Sequence, residues 1–127
     1  MNALDLKSGM KNCWNSEPSK NDSDTVYYTI YFNRDVLIEE LKIQFQGGFV
    51  GDECLLYVMK DGNNWIELQN AMLEPEDSTE MQTFDLKEEE SDETKRQCQA
   101  LKLKFESSSD FYGRVTIYKI EVWGQNL

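Results

Sequence analysis

The chain has 127 residues, a length that fits one domain with a single two-layer core. It carries 24 acidic and 13 basic residues with a formal net charge of −11, and the basic residues form no cluster, so we expect it to bind neither nucleic acid nor an anionic membrane surface directly. It contains no histidine, which excludes catalysis by a Ser-His-Asp or Cys-His arrangement and removes the commonest metal ligand.

The cysteines and the N-terminus indicate a compartment. Cys13, Cys54 and Cys98 are an odd number at wide spacing, which argues against a disulfide framework and against a zinc site. No run approaches the ~20 apolar residues of a membrane span. The stretch MNALDLKSGMK lacks the apolar region of a secretory signal. We therefore expect a protein of the nucleus or cytoplasm that is not secreted.

The first half of the chain reads as strands. Residues 26–32 (VYYTIYF) alternate β-branched and aromatic side chains with a period of two, which predicts a strand. Residues 41–45 (LKIQF) place apolar side chains on one face and polar ones on the other, which predicts a strand with one solvent face. Residues 54–60 (CLLYVMK) are apolar on both faces and predict a more central strand.

A hairpin signal follows that central strand. Asp61-Gly62 is a strong turn pair. After it, WIELQ forms a return strand or IELQNAMLE forms a short helix, and the sequence leaves both interpretations open. Residues 82–86 (QTFDL) predict a further short strand after the turn-rich EPEDST.

The second half ends in two more strands. Residues 101–105 (LKLKF) repeat the one-sided pattern of residues 41–45. In residues 114–123 (RVTIYKIEVW) the apolar phase flips near Tyr118, which indicates a β-bulge there or burial of both faces. Before them, residues 87–97 (KEEESDETKRQ) form a charge run that we expect to lie outside the core.

About seven strands, with turns roughly every ten residues and little helix, predict one antiparallel β-sandwich domain. The motifs CWNS, DGNNW and a last strand that ends at Gly124 occur in that order. The chain thereby resembles the discoidin-like, or coagulation-factor type C, domain. That resemblance implies an all-β, galactose-binding-domain-like jelly roll over residues 1–127.

Within that superfamily the chain is similar to the nuclear receptor-associated proteins, the testicular-orphan-receptor-associated repressors. The similarity rests on CWNS, IQFQGGF, PED, QTF and DFYGRV. It implies a transcriptional regulator that binds a nuclear receptor without touching DNA. The family carries a strand before the Cys-Trp pair, and this chain starts almost at that point. Either the sequence is truncated there, or the sandwich manages without that strand.

The resemblance also raises the question of a calcium site. Many discoidin-like domains bind calcium in the loop before the Trp, where a gapless match puts Lys7 in the place of the Asp ligand. Asp5 is the weak calcium candidate that remains, and we expect no cofactor. Asp22 and Asp24 lack the third ligand and the loop glycine of a calcium loop.

Two loops are the candidate binding site at one rim of the sandwich. In FQGGF, Gly47 and Gly48 supply turn geometry and Phe49 covers the end of the core, or Gln46 and Phe49 line a pocket. In SSSDFYGRV, Asp110 and Arg114 form a bridge across a tight loop, or Arg114 offers its donor fork to a carboxylate or a sugar diol. The predicted ligand- or partner-binding residues are Gln46, Phe49, Asp110, Phe111, Tyr112 and Arg114.

Three functional hypotheses follow. The first is a non-enzymatic protein-interaction module of the nuclear receptor-associated kind. The second is a lectin-like carbohydrate-binding domain that uses the rim. The third is a subunit of a larger assembly, of the ubiquitin-ligase or intraflagellar-transport type. The three tryptophans, Trp14, Trp65 and Trp123, are predicted to serve packing.

Overall fold

A computed structural model of the protein describes residues 2–3, 14–15, 26–60, 62, 64–68 and 72–127. In this part of the chain it has eight strands and two one-turn helices. In chain order they are β1 Asn2–Ala3, β2 Trp14–Asn15, β3 Val26–Phe45, β4 Glu53–Met59, β5 Trp65–Glu67, β6 Met81–Asp85, α1 Leu86–Glu89, α2 Glu93–Arg96, β7 Gln97–Ser107 and β8 Thr116–Asn126.

All strand pairs are antiparallel, and they form one curled sheet. One layer follows the order β3, β7, β4, β5. The other places β8 between β3 and the short strands β1 and β2, with β6 on the opposite side of β3. The prediction of an antiparallel all-β sandwich is therefore confirmed.

The two predicted strands at residues 26–32 and 41–45 are two halves of the single strand β3. The first half pairs with β7, the second half pairs with β8 and β6, and the register shifts between Tyr31 and Val36. Within that interval Asn33 has a φ of 59°, a left-handed conformation that Asn tolerates better than most residues. This break lets one strand take part in both layers.

The core lies between the layers and is built by alternation. Leu41, Ile43 and Phe45 of β3 are buried. The matching residues of β7, which are Leu101, Leu103 and Phe105, are buried too. Phe45 and Phe105 meet edge to face with ring centroids 6.1 Å apart. Because burial of each such side chain is worth about 1.5–3 kcal/mol, this alternation is the main force that closes the sandwich. Strand β3 ends at Phe45, so the turn that follows lies at one end of the sandwich.

Two local predictions were resolved by strand register. Gln44 pairs with Lys119 and Phe45 with Ile117, so Tyr118 is an extra residue on β8 and the predicted β-bulge is confirmed. After the hairpin, β5 pairs with β4, so the return strand and not the helix is correct for Trp65–Glu67.

The expectation that the whole charge run lies outside the core is wrong for two residues. Glu90 and Arg96 are buried, and Arg96 Nη1 donates a hydrogen bond to the carbonyl of Ile38 at 2.9 Å. Ile38 pairs with Gly124 of β8 on one side of β3. On the other side it lies in a gap between Leu37, where the pairing with β7 ends, and Glu40, where the pairing with β6 begins. A carbonyl left there needs a donor, and the long arginine side chain supplies it.

The tryptophans pack on the outside of the sandwich where their side chains are described. Trp65 and Trp123 are half-buried and stand apart from the buried core. Trp123 Nε1 donates to Glu121 at 2.9 Å, and Lys42 Nζ lies 5.2 Å from the Trp123 ring centroid. Both tryptophans therefore pack against lysine side chains outside the core, with Lys102 Nζ 4.3 Å from the Trp65 ring centroid.

Several predictions concern the N-terminal region. Strand β1 pairs with β8 ahead of the Cys-Trp motif, and the backbone of Trp14 pairs with Ile117. The side chain of Trp14 and the predictions on Asp5, Lys7, Cys13, Asp22, Asp24 and Asp61 lie outside the described residues. Among the described residues, no helix is long and apolar enough to span a membrane.

Candidate binding site at the rim of the sandwich

The first rim element is the glycine turn, residues 46–49. The Phe49 N–H donates to the Gln46 carbonyl at 3.0 Å, and Gly48 has a φ of 87°, as the third residue of a type II turn requires. The Gln46 N–H donates to the Thr116 carbonyl at 3.0 Å, and the Thr116 N–H donates to the Phe49 carbonyl at 2.9 Å. The turn is thereby fixed to the start of β8, and the interpretation of Gly48 as a turn residue is confirmed.

A second set of contacts holds the other side of the glycine turn. The Gly48 N–H donates to Asp77 Oδ1 at 2.8 Å, and the Gly47 N–H donates to Thr79 Oγ1 at 2.9 Å. Gln82 in turn binds both backbone groups of Glu76 at 2.8 Å. In the sequence, PED and QTF were recognised only as family motifs, and the roles of Asp77, Thr79 and Gln82 in holding the turn were not predicted. Only one general rule pointed to them, which is that the backbone N–H groups of a turn need hydrogen-bond acceptors.

The second rim element is the arginine loop, residues 108–114. The Asp110 carboxylate accepts hydrogen bonds from Arg114 Nε at 2.9 Å, from Arg114 Nη2 at 3.3 Å and from the Arg114 backbone N–H at 3.0 Å. It also accepts from the Tyr112 N–H at 3.2 Å. Gly113, with a φ of 75°, makes the bend. Asp110 and Arg114 thus pair across the loop, as the bridge interpretation predicted.

Serines tie the arginine loop to the sandwich. The Val50 N–H donates to Ser109 Oγ and the Ser109 N–H donates to the Val50 carbonyl, both at 2.9 Å. Ser108 Oγ donates to the Arg114 carbonyl at 2.6 Å. The arginine loop is therefore attached to the chain that directly follows the glycine turn.

Burial and charge support the bridge. The Asp110 side chain is 10% exposed and the Arg114 side chain 39%. The side-chain hydrogen bond from Arg114 lowers the pKa of Asp110 below its ordinary value, and the same bond raises the pKa of Arg114. Both groups stay ionised at neutral pH, with Asp110 mostly inside and one side of Arg114 facing solvent.

Aromatic rings surround the guanidinium. Arg114 Cζ lies 5.0 Å from the ring centroid of Phe49 and 5.5 Å from that of Tyr112. Phe111 meets Tyr112 edge to face at 5.1 Å, and its own side chain is 92% exposed. The structure therefore brings both predicted loops to one rim. That rim presents aromatic rings and a guanidinium, groups that bind by stacking and hydrogen bonding.

The remaining candidate chemistries are metal binding and thiol reactivity. Within the described ranges, no group of three or more His, Cys, Asp or Glu side chains could hold a metal ion. Cys54 and Cys98 are free and buried. Desolvation by burial raises the pKa of the Cys98 thiol to about 12 and raises that of Cys54 as well.

A curled antiparallel sandwich that carries aromatic and charged loops at one rim defines a discoidin-like jelly-roll domain. Solved structures share this fold. Chitosan-binding module 1 of a Paenibacillus sp. IK-5 chitosanase/glucanase superposes with a TM-score of 0.65 at 13% identity, covering 93% of this chain and 80% of the module. Module CBM32-5 from Clostridium perfringens, in complex with GalNAc-β-1,3-galactose, gives 0.64 at 16%, covering 91% and 78%. These similarities confirm the predicted fold.

The chain belongs to the Sad1/UNC-like C-terminal family, whose profile matches residues 2–126. It is similar to the nuclear receptor 2C2-associated protein of Danio rerio, with 30% identity over 118 residues that cover 93% of this chain and 75% of that protein. The Mus musculus protein of the same name is 34% identical over 113 residues, covering 89% and 71%. The resemblance to nuclear receptor-associated proteins is confirmed.

Proposed function

We propose that this protein is a non-enzymatic interaction module that binds a nuclear receptor of the 2C2 type through the glycine turn and the arginine loop. The names of its relatives describe proteins associated with nuclear receptor 2C2. The observation that carries the proposal is Phe111, a phenyl ring 92% exposed at the tip of a loop whose base is held by hydrogen bonds.

The physical reason is preorganisation. Burying an exposed Phe against a partner is worth about 1.5–3 kcal/mol. Little of that gain is lost to ordering, because the Asp110–Arg114 pair already fixes the loop. Aromatic anchors surrounded by polar groups are typical centres of protein interfaces. Tyr112, which contacts both Phe111 and the guanidinium, extends the same surface.

The charge balance sets the mode of action. With a net charge of −11 the module is repelled by phosphate backbones, so it acts on transcription through the receptor and without contact to DNA. This action places the protein in the nucleus, or in the cytoplasm where it meets the receptor.

Titration calorimetry of the protein with purified nuclear receptor 2C2 tests the proposal. Phe111→Ala is expected to weaken binding about tenfold or more. Tyr118→Ala is the matched control, because Tyr118 is also an exposed aromatic residue but lies on the bulge of β8. It should leave the affinity unchanged. Absence of binding by the unsubstituted protein, or equal losses in the two variants, would contradict the proposal.

A carbohydrate is the second candidate ligand of the rim. It is favoured by fold neighbours that are carbohydrate-binding modules, one of them in complex with GalNAc-β-1,3-galactose. The geometry limits what Arg114 can offer a sugar, because Nε–H and one Nη2–H are bonded to Asp110. The two Nη1 hydrogens and the second Nη2 hydrogen remain for sugar hydroxyls. Glycan-array binding by the intact chain that is lost in a folded Arg114→Ala variant would favour this candidate over the protein partner.

A further inference from the structure

Lysine and aromatic side chains cluster on the outer face of the layer formed by β3, β7, β4 and β5. The register sets Lys102 of β7 opposite Thr29 on one side and Tyr57 on the other. Its neighbours Leu101 and Leu103 are buried, so Lys102 faces outward. The cluster therefore lies on the sheet face and consists of residues other than those of the rim.

Three rings surround the Lys102 ammonium. Its Nζ lies 4.3 Å from the ring centroid of Trp65, 5.3 Å from that of Tyr27 and 5.6 Å from that of Tyr57. All three distances are within the range of about 6 Å for cation–π attraction. We call this set, together with Tyr31, the Lys102 face. Tyr31 meets Trp65 at 6.4 Å, and Tyr27 and Tyr31 are 48% and 45% exposed.

Lys102 differs from the other lysines of the described strands, because those lysines each pair with a carboxylate and Lys102 does not. The strands in the described part of the chain hold four lysines, which are Lys42, Lys102, Lys104 and Lys119. Three of these have a carboxylate at 3.0–3.5 Å. Lys102 has no described carboxylate within 4.0 Å, although the chain has 24 acidic residues. It is a positioned cation between partly exposed rings.

We propose that the Lys102 face docks an acidic segment of a partner protein, in which an Asp or Glu side chain stands beside an apolar one. The carboxylate pairs with Lys102 Nζ from the solvent side, and the apolar group packs on the rings of Tyr27 and Tyr31. Rings beside the pair shield it from water, which makes such a pair stronger than an open surface one. A polyanion is disfavoured, because the acidic residues of the whole chain repel it. This surface is additional to the proposed receptor-binding rim.

The test uses a short synthetic peptide in which a single glutamate stands beside leucine among neutral polar residues, and a control peptide with glutamine in place of the glutamate. The readout is the NMR signal of the Trp65 indole N–H, assigned with Trp65→Phe, together with the backbone amides of β7. The glutamate peptide is expected to shift these signals. Lys102→Gln should weaken its binding about tenfold. Lys119→Gln, on the other layer, is the matched control and should not change it.

Two results would overturn the proposal. Equal binding of the glutamine peptide would show that the face attracts apolar groups without regard to charge. Shifts that map to the arginine loop and disappear in Phe111→Ala would assign the acidic segment to the rim. If the NMR spectrum of Lys102→Gln shows that this variant is unfolded, Tyr27→Ala takes its place in the test. Tyr27→Ala is expected to weaken peptide binding as well. Phe111→Ala must leave peptide binding intact, whatever its effect on receptor binding.

Discussion

The carboxylate of Asp77 accepts a hydrogen bond from the backbone N–H of Gly48 at 2.8 Å, although 29 positions separate the two residues. This bond fastens the segment before β6 to the glycine turn. Thr79 adds a second bond, to the neighbouring Gly47. The turn is therefore held from two sides, by residues 77–79 and by the first residue of β8.

Asp77→Ala removes the acceptor and leaves the Gly48 N–H without its protein partner. We expect the free energy of unfolding to fall by about 1 kcal/mol, the typical net value of such a bond at the surface. Urea unfolding followed by circular dichroism measures the change. Glu76→Ala is the control, because the bonds of Glu76 to Gln82 are made by its backbone. Equal effects of the two substitutions would contradict this account of the turn.

Gly48→Ala tests the turn itself. A side chain is strained at a φ of 87° even where space is free, and no atom lies within 4 Å of a Cβ at this position. The expected loss of stability is about 1–2 kcal/mol. Gly48→Asn should lose less, since Asn adopts positive φ more easily. The same urea midpoints measure both, and an Ala variant as stable as the parent would refute the strain argument.

The Asp110–Arg114 pair makes part of the stability depend on pH. The bond from Arg114 lowers the pKa of Asp110 in the folded protein. The pair therefore stabilises the fold above the pKa of the unfolded state, about 3.9, and the contribution is lost as the pH falls through the lower folded pKa. Carbon-13 NMR titration of the Asp110 carboxyl checks the direction. Arg114→Gln should bring the pKa back up, and a midpoint at or above the ordinary value in the parent would contradict the assignment.

The thiols of Cys54 and Cys98 should be inert in the folded protein. The thiolate is the reactive form, and burial raises the pKa of both groups, that of Cys98 to about 12. We expect neither to react with a maleimide at pH 8 within the time that labels both in urea. Mass spectrometry of proteolytic peptides distinguishes the sites. Rapid labelling of either cysteine under native conditions would contradict the burial.

Alternation in the sequence was enough to predict the sandwich and most of its strands. The phase flip at Tyr118 indicated either a bulge or burial of both faces, and the strand register decided for the bulge. DFYGR offered the Asp110–Arg114 pair as one of two interpretations, and the pair forms because side chains four residues apart in a tight loop are neighbours. Local pattern also led to errors. Residues 26–32 and 41–45 read as two strands, but Asn33 breaks one long strand without ending it.

The sequence by itself thus determined the elements, the inward and outward faces and the contacts within one loop, since all of these depend on residues close along the chain. The tertiary structure alone decided the burial of Arg96 under Ile38, the bond from Gly48 to Asp77 and the three rings around Lys102. The physical reason is that these contacts join residues 29 to 75 positions apart, and the register of pairing that brings them together depends on the packing of the whole sandwich.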